Sequence, residues 1–379
     1  MILLLAMMAV SLSLGLRVPR VFHPDEIWTL NPVLAYPLGS LIAFILNYDN
    51  HPPLYYMIVK IWTLLGFASI PKIRLLSYLF SLLTLISFYL FHCRYRIVSW
   101  FAPCLLLATN PLLAYYAATV RPYALVVFLS SLLILSALTL RIKASSARDQ
   151  HDPALAAGER IALQVIFYGT CLALGLTHYY GTLLAMILLA WDLLEQKISA
   201  NRLMTIITML ALLVWPILQT FFGSIDVQIE TNDWVNFVPF LSTFNNLMMA
   251  IFPLQLLSKQ PHYIFSLALL IVLLLVSLES ISRWQPAAIV SRFRAISIGP
   301  IEYLAAPILV VYLFSVFADF KTPFSTPYYF LVCLPAAAIL FGILINKLSR
   351  RISPPVASLL LVAVVSAQWL LAMERIRLP

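Results

Sequence analysis

The sequence predicts an all-α, polytopic integral membrane protein with about 11 transmembrane helices and additional juxtamembrane helices. Three observations carry this. Of 379 residues, 62% are hydrophobic and 10% charged, with a mean hydropathy of +0.95; about a quarter of a soluble domain is charged. Apolar runs of 17–22 residues recur from end to end, and each can cross a hydrocarbon core of roughly 30 Å as a helix. Basic residues collect in the short connections between those runs, as they do on the cytoplasmic side of a membrane. That bias accounts for the formal charge of +9 without a nucleic-acid partner.

In order, the expected spans are 2–18, 75–92, 97–113, 122–140, 161–177, 178–194, 203–222, 262–281, 301–317, 327–346 and 355–373. Met1 to Leu16 has no basic n-region and no small-residue cleavage site, so it reads as an uncleaved first span. Segment 53–68 is apolar, yet Lys60 sits at its middle and Pro52-Pro53 opens it; proline suits a first helical turn. Parity decides its placement. If it lies in the interface and the N-terminus is cytoplasmic, 14 of the 24 basic residues fall inside, from Arg94 and Arg96 to Arg350 and Arg351. If it crosses, the same residues fall outside, against the positive-inside trend. The juxtamembrane placement is therefore preferred.

The whole chain, 1–379, reads as one transmembrane domain with two long external loops, 19–74 and 223–261. Residues 31–46 of the first loop are apolar around Pro32 and Pro37 and are expected on the membrane surface. The second loop is acidic at Asp226, Glu230 and Asp233, with Trp234, Phe237 and Phe240, and reads as a lid or an acceptor-binding element. Segment 143–160 is a polar cytoplasmic connector. The cysteines, Cys93, Cys104, Cys171 and Cys333, show no C-x-x-C spacing, so neither a disulfide nor a thiolate metal site is expected.

Charge is scarce, yet three carboxylates and two histidines gather between His23 and Tyr56. Carboxylates at the edge of a hydrocarbon layer cost free energy and point to function. Asp25 and Glu26 are the candidate catalytic acids: one carboxylate there can take a proton from an attacking hydroxyl or amine. Asp49 and His51 offer donors that, with Asp25 or Glu26, would suit a divalent metal. Equally, they fix the turn before Pro52-Pro53 by hydrogen bonding. No short-spaced ligand motif accompanies them, so no metal or other cofactor is expected. Arg121, with Tyr123, stands externally at the head of a span, where its fork of donors matches phosphate oxygens or it snorkels to headgroups. Arg74 and Lys321 also run against the basic-inside trend. His178-Tyr179-Tyr180, between two spans, can hydrogen-bond a sugar or phosphate or belong to an aromatic belt.

Taken in order, these motifs resemble a known family. They are Asp25-Glu26; His51-Pro52-Pro53-Leu54-Tyr55-Tyr56, then Gly66 and Ile73-Arg74-Leu75-Leu76-Ser77; Asn110-Pro111 leading to Arg121-Pro122-Tyr123; and Thr177-His178-Tyr179-Tyr180. The set resembles the GT-C superfamily of integral-membrane glycosyltransferases that use polyprenyl-phosphate sugars, above all the branch with protein O-mannosyltransferases and the lipid A aminoarabinose transferase. The resemblance covers about the first half of the chain and implies that Asp25 is the acid–base residue, with the donor phosphate among external basic and aromatic groups. Two departures stand out. Thr119 and Val120 replace a polar Gln-Glu pair, and Tyr328-Tyr329 with Pro335 lacks a family arginine, for which Lys321 is the substitute.

The implied activity is transfer of a sugar from a polyprenyl-phosphate donor to a lipid, glycan or protein acceptor on the extracytoplasmic face. Its rival is a flippase of lipid-linked sugars without chemistry. Transporters carry inverted repeats and midplane charges; the charges here lie in loops and no repeat is visible. Single-cysteine labelling tests the orientation. Asp49→Cys and Asn232→Cys should react from outside the cell, and Arg148→Cys and Arg292→Cys should not; external labelling at 148 would invert the topology.

Overall fold

The computed structural model describes residues 5–10, 13, 24–49, 51–96, 99–148, 155–195, 200–222, 239–251, 300–321 and 326–351, and among these every regular element is helical. The first external loop folds as three short helices, α1 (Pro24–Ala35), α2 (Leu38–Tyr48) and α3 (Leu54–Leu64). Pro24 opens α1, and Asp25 and Glu26 fill its first turn, where acids favour a helix N-terminus. Pro37 stands extended between α1 and α2, and Pro52-Pro53 precedes α3. Gly66 then turns the chain at φ +95°, a conformation a side chain would strain.

At 11 residues α3 is about 16 Å long, too short to cross a bilayer core. Lys60 finds its reason here. Its Nζ donates to the Val33 carbonyl (2.8 Å) in the last turn of α1, placing a cation at a helix C-terminus. Trp62 stacks on Phe67 (4.2 Å) and donates from Nε1 to the Lys72 carbonyl, closing the turn into the next helix.

That helix, α4 (Ile70–Tyr95), runs 26 residues and buries Ser77, Ser81, Thr84 and Ser87. The hydroxyls of Ser81, Thr84 and Ser87 return to carbonyls of their own helix, which satisfies them without water. The expected span 97–113 is not one helix. The chain forms α5 (Phe101–Thr109) and α6 (Pro111–Ala117), broken at Asn110. Pro111 lacks an N–H and forces Asn110 extended (φ −67°, ψ 116°). Asn110 then works twice. Its Oδ1 accepts from the Leu113 N–H (2.9 Å), capping α6, and its Nδ2 donates to the carbonyls of Ala250 (3.0 Å) and Ile251 (3.4 Å).

The remaining helices are α7 (Tyr123–Arg148), α8 (Ala157–Gly175), α9 (Tyr179–Glu195), α10 (Ala200–Phe222), α11 (Pro239–Ile251) and α12 (Pro300–Lys321), then a 3₁₀ helix (Pro327–Cys333) and α13 (Leu334–Arg351). Helix α7 is the centre: 83% of its apolar window is buried, and it packs on α4, α8, α13 and the 3₁₀ helix. The turn from α8 to α9 is tight enough that a Cβ on Gly181 would stand 2.6 Å from the Leu174 side chain. Helix α11 lies within loop 223–261 and packs on the 3₁₀ helix and α12. The loop's acidic residues, and Phe240's side chain, lie outside the described residues.

Among the described residues, Ile70–Tyr95, Tyr123–Lys143 and Pro327–Asn346 are long and apolar enough to cross a membrane alone, and shorter apolar helices accompany them. The expected spans 262–281 and 355–373, and most of 2–18, lie outside the described residues. Leu203, Ile207, Leu210, Val214 and Ile217 on α10, and Leu309, Leu313 and Phe317 on α12, are exposed. Stripes of this kind face a solvent of lipid tails. Asn110→Ala would strand the Leu113 N–H and remove the amide shared by the Ala250 and Ile251 carbonyls, and should lower stability by about 1–3 kcal/mol. Thermal denaturation in detergent measures it; an unchanged Tm would show that Asn110 holds nothing.

Candidate active site

The site begins with Glu26. Its side chain is fully buried, and its carboxylate joins three elements. Arg74 of α4 donates to it from Nε (2.9 Å) and Nη2 (2.5 Å) in a two-pronged ion pair, and the Val120 backbone N–H donates to Oε1 (2.8 Å). Val120 precedes Arg121 in the turn between α6 and α7. One acid thus ties the first turn of α1 to the turn that carries the arginine. The Asp25 backbone lies in that first turn; its side chain lies outside the described residues.

A second acid closes the link between α2 and α3. Asp49 Oδ1 accepts from the His51 backbone N–H (2.7 Å) and from His51 Nδ1 (3.0 Å), while Oδ2 accepts from the Tyr56 hydroxyl (2.7 Å). Burial pushes the Asp49 carboxyl up, but the His51 hydrogen bonds and charge, with the Tyr56 hydroxyl, hold it below its ordinary value. Tyr56 moves the other way. Burial and the Asp49 charge push its phenol well above the ordinary value, so it remains a donor. The arrangement fixes the turn before Pro52-Pro53 and sets the His51 ring with Nδ1 turned to the carboxylate.

Arg121 is 8% exposed. Its guanidinium stands 5.9 Å from the Tyr123 ring, and its charge is felt at Tyr55, Tyr56 and His178. His178, in the turn before α9, accepts the Tyr180 N–H at Nδ1 (3.2 Å), so this neutral imidazole carries its proton on Nε2. Around it lie the rings of His51 (5.7 Å), Tyr123 (5.7 Å) and Tyr329 (5.3 Å). Tyr123 meets Tyr116 at 4.5 Å and Tyr328 at 4.9 Å. Beyond them the Ser315 hydroxyl donates to the Tyr180 hydroxyl (2.9 Å), and Thr243 of α11 donates to buried Asp319 of α12 (2.5 Å).

The structure therefore brings Glu26, Arg74, Asp49, His51, Arg121, Tyr123 and His178 to one end of the helices. Arg74 meets Glu26 there. Tyr179 stands 37% exposed, while its neighbour Tyr180 is buried in the ring cluster. Lys321 ends α12, and its side chain lies outside the described residues. Among the described residues no three metal-ligating side chains come together. Sequence reasoning missed Tyr56, Tyr116 and Tyr328 as site residues. A signal was present: the chain has four Tyr-Tyr doublets, 55–56, 115–116, 179–180 and 328–329, and each supplies a ring to this cluster or to the acid beside it.

No protein-family model matches the chain, and no curated protein sequence resembles it significantly. Two solved structures do. ArnT from Cupriavidus metallidurans, in the apo state, superposes with a TM-score of 0.52 at 15% identity, over 92% of this chain and 60% of that one. The archaeal oligosaccharyltransferase AglB from Archaeoglobus fulgidus, in complex with an inhibitory peptide and a dolichol-phosphate, superposes with 0.48 at 14% identity, over 99% of this chain and 55% of that one, a likeness too loose to weigh. The chain is a polytopic helical membrane protein that shares the fold of ArnT and spans about 60% of that protein's length.

The Glu26–Arg74 pair has a measurable consequence. Arg74→Ala leaves a buried carboxylate without its partner and should cost about 3–5 kcal/mol. Glu26→Gln with Arg74→Met removes both charges, keeps an acceptor for Val120, and should recover most of that stability. Thermal denaturation of the single and double variants decides it; equal losses in both would show the pair to be incidental.

Proposed function

We propose that this protein is a membrane glycosyltransferase that moves a sugar from a polyprenyl-phosphate donor to an acceptor on the extracytoplasmic face. The observation that carries the reading is the union, through Glu26, of the Asp25-bearing helix start with the Arg121 turn. Group transfer between a lipid-anchored donor and a water-borne acceptor needs a base and an anion-holding cation side by side. The GT-C fold shared with ArnT supports it.

In this mechanism Asp25 accepts a proton from the acceptor hydroxyl or amine as that atom attacks the anomeric carbon. The bond from that carbon to the phosphate oxygen breaks, and its electron pair leaves on the lipid phosphate. Arg121 stabilises that charge by two-pronged hydrogen bonding. A phosphate leaving group needs no protonation, so one carboxylate suffices and the anomeric centre inverts. Glu26, held by Arg74 and Val120, supports this geometry without reaching the acceptor. His51 and the His178 Nε2–H, with their rings 5.7 Å apart, offer polar groups for donor oxygens. No metal takes part in these steps.

Asp25→Asn keeps the shape and packing but cannot take a proton, so turnover should fall by a factor on the order of 10²–10⁴ with folding and donor binding intact. The assay is conversion of a polyprenyl-phosphate sugar to polyprenyl phosphate in membranes containing the acceptor. Near-wild-type turnover in Asp25→Asn would end the role of Asp25 as the base, and absence of turnover in the wild type would favour the flippase. Mass spectrometry of copurified lipid gives the simplest support: a polyprenyl-phosphate species.

A further inference from the structure

We propose that the Tyr123 hydroxyl is a phosphate ligand: it donates its hydrogen bond to an anionic oxygen of the lipid-linked phosphate held by Arg121. The role rests on the transferase reading above and adds a second, neutral donor to the site. Tyr123 is 1% exposed, and among the described residues its hydroxyl meets no hydrogen-bond partner. That is costly, because a buried hydroxyl has given up its hydration.

The neighbouring tyrosines make the exception plain. The Tyr55 hydroxyl pairs with Ser77 (3.0 Å), the Tyr56 hydroxyl donates to Asp49, and the Tyr180 hydroxyl accepts from Ser315. Among the described residues nothing is left for the Tyr123 hydroxyl to meet. Its ring is held by Tyr116, Tyr328 and His178, so the hydroxyl is fixed in place before anything binds. Such fixing lowers the ordering cost of binding.

The chemistry of the partner follows from Arg121, whose guanidinium stands 5.9 Å from the same ring. A guanidinium only donates, and a phenol donates more strongly than it accepts. One group with several accepting oxygens and negative charge satisfies both, and phosphate is that group. A sugar hydroxyl carries no charge and offers a single oxygen for the two donors to share.

The test uses polyprenyl phosphate, which carries no sugar, so the result does not depend on which sugar is transferred. Binding and Tm are measured in detergent for wild type, Tyr123→Phe and Arg121→Lys. Without lipid, Tyr123→Phe should melt at or above the wild-type temperature, since it loses only an unsatisfied oxygen. With lipid, its affinity should fall roughly ten- to hundredfold, the effect of one hydrogen bond to a charged group, and the lipid-induced rise in Tm should shrink accordingly. If Arg121→Lys weakens binding while Tyr123→Phe binds like wild type, the hydroxyl has no such role and the transferase reading stands. If wild type does not bind polyprenyl phosphate, both fall together. A lower Tm for Tyr123→Phe with unchanged affinity would show an internal partner, such as a bound water, and overturn the proposal.

Discussion

One buried carboxylate fixes the relation among parts of the chain that lie far apart in sequence. Glu26 is 48 residues from Arg74 and 94 from Val120, yet it bonds to both. A charge removed from water is tolerated only while its partners stay in place, so α1, α4 and the α6–α7 turn hold one another in register. The backbone of the first turn of α1 is held by the same bonds. Glu26 is thus committed to the ion pair and to the Val120 N–H, contacts that hold the fold together.

Much of this was legible in the sequence where the signal was local. The expected spans 161–177 and 178–194 are the helices Ala157–Gly175 and Tyr179–Glu195, because apolar runs ended by a turn leave little latitude. The odd Lys60 marked a helix that does not cross, and its ammonium caps the end of α1. The break at Asn110 was missed because hydropathy does not register a proline; the Asn-Pro pair carried the information, but it was read only as a family likeness.

The site was legible by residue and not by pairing. Arg74 stands out in the sequence as an external cation, and it meets Glu26, a contact that only folding reveals. Asp49 and His51, two residues apart, could be paired from spacing alone and do bond to one another. The aromatic cluster is the intermediate case. Its rings come from α6, α7, α9 and the 3₁₀ helix, so no window of sequence contains it, although the repeated doublets advertise it. Tyr328 and Tyr329 enclose Tyr123 and His178 with rings and add no charge.

The Asn110 amide joins residues that the ribosome makes at different times. Its partners Ala250 and Ile251 lie 140 and 141 residues further on. At a synthesis rate of roughly 5–20 residues per second, they arrive about 7–28 seconds after Asn110 itself. Through that interval the chain holds a broken helix pair whose polar side chain still awaits its mates. The Leu113 cap is local and can form at once, so α6 can take shape early while its attachment to α11 waits. Assembly of this end of the protein is therefore ordered by translation, with the latch closing only after both halves are in the membrane.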